Sequence, residues 1–215
     1  MTASPSSTPP ASERLIMYVD GFNLYHGLHA QAGRRLLWLD LVDLAERLRP
    51  RSDVVAVKYF TAPVLDEPDA LSRQTTYLNA LSALHGDRIL IVNGRYQSKT
   101  RTCRTCGSQW VEREEKETDV NIAVTLVADA ALGAMDAALL VSADSDLAPA
   151  VRTARRINPD VFITAAFPPQ RRSAQLRQLM PASFPIKEPR LRQSLLPDEV
   201  AAPSGKVFTR PAKWR

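Results

Sequence analysis

The most restrictive stretch in this chain is the apolar run Leu139-Leu140-Val141, which passes through Ser142 and Ala143 into two acids one residue apart, Asp144 and Asp146. A run of that kind reads as a buried strand that presents carboxylates at its carboxyl end. An earlier stretch repeats the pattern: Leu15 to Val19 leads directly into Asp20, followed by Gly21, Phe22 and Asn23. A third acid, Asp119, opens a helical pattern in which Ile122, Ala123, Leu126, Val127 and Ala130 follow at i+3, i+4, i+7, i+8 and i+11. This spacing predicts Asp119 on the buried face of its helix. Carboxylates taken out of water need a counter-charge, and a divalent cation satisfies several at once.

The remaining elements alternate. Strands are predicted at Val54 to Phe60, Arg88 to Val92, Ala137 to Val141 and Val161 to Ala165, and a short one at Phe184 to Ile186. Between them lie helices after Asp20, after the N-cap Asp40, from Asp69 to His85 ahead of Gly86, after Asp119, from Asp146 to Arg156, and from Arg171 to Met180. Alternation of this kind implies a mostly parallel sheet with helices on both faces, a three-layer α/β/α arrangement of Rossmann-like type. Sites in such sheets form beyond the carboxyl ends of strands, where the strand order reverses. The strands ending in Asp20 and in Asp144 are the expected neighbours at that point.

The polar, alternating stretch around Cys103-Arg104-Thr105-Cys106-Gly107 predicts a β-hairpin projecting from the domain at about 94–113. One domain is expected over residues 13–186, preceded by a disordered Ser/Thr/Pro/Ala segment, 1–12, and followed by a Pro-containing tail, 187–215. The formal charge is +5. Most of that excess falls in the tail, in Lys187, Arg190, Arg192, Lys206, Arg210, Lys213 and Arg215. The tail reads either as a contact for a polyanion or as a solvated extension. No apolar run is long enough to cross a membrane, no secretory signal opens the chain, and two cysteines make no disulfide framework, so a cytoplasmic protein is expected.

Several aspartates around one crevice, without a Gly-rich phosphate loop, point to oxygen-ligated Mg²⁺ or Mn²⁺ and to phosphodiester hydrolysis. Three stretches, Tyr18-Val19-Asp20-Gly21-Phe22-Asn23, Glu115-Lys116-Glu117-Thr118-Asp119-Val120 and Ser142-Ala143-Asp144-Ser145-Asp146-Leu147, resemble in order the signatures of bacterial NYN-domain proteins of the PIN-like nuclease superfamily. The resemblance covers roughly residues 14–170. It implies a PIN-like fold and a metal-dependent ribonuclease acting on RNA, with Asp20, Asp119 and Asp144 as metal ligands. Asp146 would complete the site as a ligand or by holding a metal-bound water. Asn23 would donate to a phosphate or orient Asp20, and Ser142 and Ser145 would donate from behind the acids. PIN-like nucleases also use a further acid from an early helix, for which Asp40, Asp43 and Glu117 are the candidates.

Each acid also has a plain structural explanation, because Asp and Ser are favoured helix N-caps. The Cys103 and Cys106 pair is half of a zinc site. Its other half would have to come from His26 and His29, from His85, or from a second copy in a homodimer. A rival to the enzyme is a non-catalytic RNA-binding module that works through the hairpin and tail. An aspartyl-phosphate phosphatase is disfavoured, since that chemistry needs an acid two residues after the first Asp and Phe22 stands there.

Overall fold

A computed structural model describes residues 12–65 and 67–215; the disorder expected for the N-terminal segment lies outside the described residues except at Ser12. The elements follow in the order β1 (Glu13–Asp20), α1 (Gly21–Ala32), α2 (Leu41–Leu48), β2 (Ser52–Thr61), α3 (Pro68–His85), β3 (Ile89–Asn93), β4 (Arg95–Thr102), β5 (Gln109–Lys116), α4 (Thr118–Ala131) and β6 (Ala137–Val141). After these come α5 (Ala148–Ile157), β7 (Phe162–Phe167), α6 (Ala174–Leu179), β8 (Phe184–Pro185), α7 (Glu188–Gln193), β9 (Glu199–Ala201) and β10 (Val207–Thr209).

The main sheet has the order β3-β2-β1-β6-β7-β8, and every neighbouring pair is parallel. Because side chains alternate along a strand, β1 feeds two cores. Leu15, Met17 and Val19 pack with α1, α2 and α3 on one face; Ile16 and Tyr18 pack with α4 and α5 on the other. The three-layer architecture expected from the sequence is therefore present, with β4 and β5 forming a separate antiparallel hairpin. Among the described residues no helix is long and apolar enough to cross a membrane.

The final 29 residues correct the expectation of a tail. Leu191, Leu196, Val200 and Trp214 are buried in the core that also holds Trp38 and Tyr77. The backbone of residues 194–197 runs beside that of residues 38–40: the Asp40 N–H donates to the Ser194 carbonyl at 2.7 Å and Leu196 N–H to the Trp38 carbonyl at 3.0 Å. The Trp38 indole donates to the Pro197 carbonyl at 2.7 Å.

One buried charge pair sits on the α4 face. Lys58 Nζ lies 2.6 Å from Asp129 Oδ2, the Tyr18 hydroxyl donates to the same oxygen at 2.5 Å, and burial pushes the Tyr18 phenol far above its ordinary range. Removing one member strands the other charge in low dielectric, whereas replacing the pair by apolar groups of similar volume is close to neutral. Lys58→Ala is expected to lower unfolding stability by about 3–5 kcal/mol in urea titrations. A loss below about 1 kcal/mol would show that Asp129 is satisfied without Lys58.

Candidate active site

Asp20 ends β1 and caps α1, its Oδ1 accepting the Asn23 backbone N–H at 2.9 Å. Its other oxygen accepts from the Ser142 hydroxyl at 2.8 Å, and that hydroxyl accepts from the Asp144 backbone N–H at 3.0 Å. Asp144 in turn takes the Asp146 backbone N–H on Oδ1 at 2.8 Å, capping the single 3-10 turn Ser145–Leu147 ahead of α5. The Asn23 side-chain carbonyl accepts from the Ala143 N–H at 3.2 Å. The structural explanation holds for both acids, since Asp20 and Asp144 each cap, and the capping ties the end of β1 to the end of β6 and brings the Asp144 charge to bear on Asp20.

The site is electrostatically one-sided. Burial raises the Asp20 carboxyl above its ordinary value, the Asn23 and Ser142 donors pull the other way, and Asp144 adds repulsion. Only 3% of Asp20 is exposed. Among the described residues no lysine, arginine or histidine forms an ion pair with Asp20 or Asp144. Gly21 lets the two elements close on this point, since a Cβ there would stand 2.5 Å from the Phe60 carbonyl oxygen and 3.1 Å from the Tyr59 hydroxyl.

The other expected site residues are placed differently. Asp119 is exposed, because Thr118 heads the buried stripe that continues through Ile122, Leu126, Asp129 and Ala130. This corrects the burial inferred from spacing: the apolar positions fit a face centred on either residue, and packing selects Thr118. Asp146 is also exposed and Ser145 is half-buried. The three candidates for a further acid are engaged elsewhere: Asp40 caps α2 and meets His85 Nε2 at 2.7 Å, Asp43 pairs with Arg47 at 2.5 Å, and Glu117 pairs with Arg95. Among the described residues no three His, Cys, Asp or Glu side chains come together as a ready cation site.

An all-oxygen set of two carboxylates with no ion-paired lysine, arginine or histidine among the described residues nevertheless fits a hard divalent ion. Magnesium is commonly held by one or two carboxylates, with water and substrate phosphate completing its shell. The cysteine pair offers less. Cys103 and Cys106 lie in the exposed turn of the β4-β5 hairpin as free thiols, with no third ligand grouped beside them among the described residues. Hydrogen bonding to the Ser108 hydroxyl at 3.1 Å helps hold the Cys106 thiol down to about 7.

Next to Asp20 lies a cavity of about 330 Å³ whose walls the sequence did not bring together. Tyr59 from β2, Tyr77 from α3 and Trp214 from the C-terminus contribute rings, and Arg34 and Arg73 contribute guanidinium groups. Tyr59 connects it to the acids: burial pushes its phenol up to about 12, the Thr61 hydroxyl opposes this, and the Asp20 charge adds to the rise.

Comparison with known proteins agrees with this geometry at the level of the fold. Residues 14–184 match the NYN domain family. The chain is 32% identical over 198 residues to 6-hydroxy-3-succinoylpyridine 3-monooxygenase of Pseudomonas putida, across 75% of this chain and 62% of that protein. It therefore spans less than two thirds of that relative's length. A crystal structure of a protein of unknown function from Vibrio parahaemolyticus superposes with a TM-score of 0.55 at 18% identity, covering 84% of this chain and 97% of the other.

Proposed function

The chain belongs to the NYN-domain family, and from that premise we propose that it is a metal-dependent ribonuclease, hydrolysing RNA phosphodiester bonds in the cytoplasm. Membership supports a nuclease-related role. The observation that carries the finer reading is the buried Asp20 near Asp144 at adjacent strand ends, with no ion pair to a lysine, arginine or histidine among the described residues. Asp20 and Asp144 would hold Mg²⁺ or Mn²⁺, and Asp119 and Asp146 are proposed to support the ion from the rim. When bound, such an ion polarises a phosphoryl oxygen and lowers the pKa of an attacking water.

The protein's own groups do the positioning. Ser142 and the Asn23 N–H fix both oxygens of Asp20, so the carboxylate needs little reorganisation when a phosphate arrives. With its carbonyl fixed on Ala143, Asn23 retains two Nδ2 hydrogens for a phosphate oxygen. The hairpin would serve as an RNA contact through the exposed Arg104 and through Trp110, which is 51% exposed and offers a stacking face.

Labelled single-stranded RNA is expected to be cut with Mg²⁺ or Mn²⁺, and Asp144→Asn, checked for folding, is expected to slow cutting at least about a hundredfold. RNA that stays intact while binding equally to both proteins would replace the enzyme by an RNA-binding module.

A second reading is favoured by the ring-lined cavity together with the pyridine monooxygenase relative: oxygenation of a small heteroaromatic compound. It predicts oxygen uptake and oxidation of an electron donor such as NADH when 6-hydroxy-3-succinoylpyridine is added. No uptake under those conditions removes it.

A further inference from the structure

The cavity beside Asp20 combines features that the acid pair does not need. Tyr59 and Tyr77 meet edge to face, with ring centroids 6.4 Å apart at 85°, and Tyr77 meets Trp214 at 6.0 Å and 74°. Three rings held against one another make a rigid wall for a flat guest, because aromatic groups favour edge-to-face and offset contacts. The Tyr77 hydroxyl is already committed to the Leu39 carbonyl at 2.8 Å. Gln74 fixes the rim, accepting the Val64 N–H at 2.8 Å and donating to the Ala62 carbonyl at 2.9 Å.

Arg73 is the feature that selects a ligand. It is half-buried at the cavity, yet its guanidinium has no hydrogen bond or ion pair among the described residues, and neither has that of the exposed Arg34. A half-buried guanidinium without a partner favours an incoming oxyanion, which it can grip through parallel N–H donors. The exposed Glu67 also lines the cavity and contributes the opposing charge, but the guanidinium groups outnumber it. A volume of about 330 Å³ sits at the small end of ligand pockets and suits one ring with a short substituent.

We propose that this cavity binds a planar aromatic ring bearing an anionic group, the ring against Tyr59, Tyr77 and Trp214 and the anion on Arg73, with Arg34 at the mouth. It goes beyond the hydrolytic reading and deepens the oxygenation reading, whose substrate would sit here. Such a ligand is either a nucleotide of the bound RNA or a free heteroaromatic acid.

Calorimetric titration of the full chain with nicotinate, with uridine 5′-monophosphate and with uncharged nicotinamide tests this. Nicotinate or the nucleotide is expected to bind at least tenfold more tightly than nicotinamide. The tighter of the two identifies the source. Arg73→Gln is expected to weaken that ligand at least tenfold, and Ala70→Phe, which fills the cavity from α3, to prevent binding. Asp144→Asn should bind as the wild type does, which separates this site from the loss of cleavage. Binding without oxygen uptake would remove the oxygenation reading and leave this one standing. No binding of either anion, equal binding of nicotinamide, or binding indifferent to both Arg73→Gln and Ala70→Phe would overturn the proposal.

Discussion

Asp20→Asn is expected to lower metal-dependent RNA cleavage about a thousandfold while leaving the metal-free protein at least as stable as the wild type. The two effects have one origin. Asp20 is buried, and burial together with Asp144 raises its carboxyl above the ordinary value of 3.8 despite the donors Asn23 and Ser142. A carboxyl with a raised folded-state pKa holds more protons folded than unfolded in the interval between the two values. Stability therefore falls as pH rises from the ordinary carboxylate range through the raised value, and stays at the lower level beyond it. Once ionised, Asp20 is a liability to the fold that a bound cation would relieve. Thermal melts should show Mn²⁺ or Mg²⁺ raising the midpoint of the wild type at pH 7 and not that of the variant. Cleavage by Asp20→Asn within tenfold of wild type would exclude Asp20 from the reacting centre.

Truncation after Ile186 is expected to abolish cooperative unfolding. The removed segment carries Leu191, Leu196, Val200 and Trp214, all buried in the same core. Loss of each such side chain costs about 2–5 kcal/mol when it leaves a cavity, so their combined loss exceeds the roughly 5–15 kcal/mol that holds an ordinary domain together. Trp214→Ala, a milder change, should still cost about 3–5 kcal/mol in denaturant titrations. A truncated protein that melts cooperatively within a few degrees of the full chain would show that residues 13–186 fold alone.

That segment also marks the limit of what the sequence makes legible. The strands that carry the acids are readable because β1 and β6 are buried on both faces, so their residues run apolar without interruption before the carboxylates. The caps Asp20, Asp40 and Asp144 are readable because each acts on backbone two or three residues away. In contrast, α7, β9 and β10 span six, three and three residues, too short for a period to register. They are held by partners far away in the chain: α7 packs on α2, β9 and β10 pack on α3, and the segment that joins α7 to β9 bonds to Trp38 and Asp40. The same reason hides the cavity, whose walls come from α1, β2, α3 and the C-terminus. Asp119 illustrates an intermediate case: periodicity locates the buried face to within one residue, and the difference decides whether a carboxylate is inside or out.

The place of β1 at the middle of the sheet also bears on how the protein comes into being. One edge of β1 is completed by β2, but the other waits for β6, and the Ser142 hydroxyl that anchors Asp20 stands 122 residues away from it. Contacts of such long sequence separation form late, after the entropy of closing the intervening loop has been overcome. While the chain is being synthesised, β1 would present an unpaired apolar edge that must be kept from other chains. For the same reason the paired carboxylates do not exist in a nascent chain. Under the ribonuclease reading proposed above, a ribosome carrying a half-made copy is thus spared a working site beside its own message.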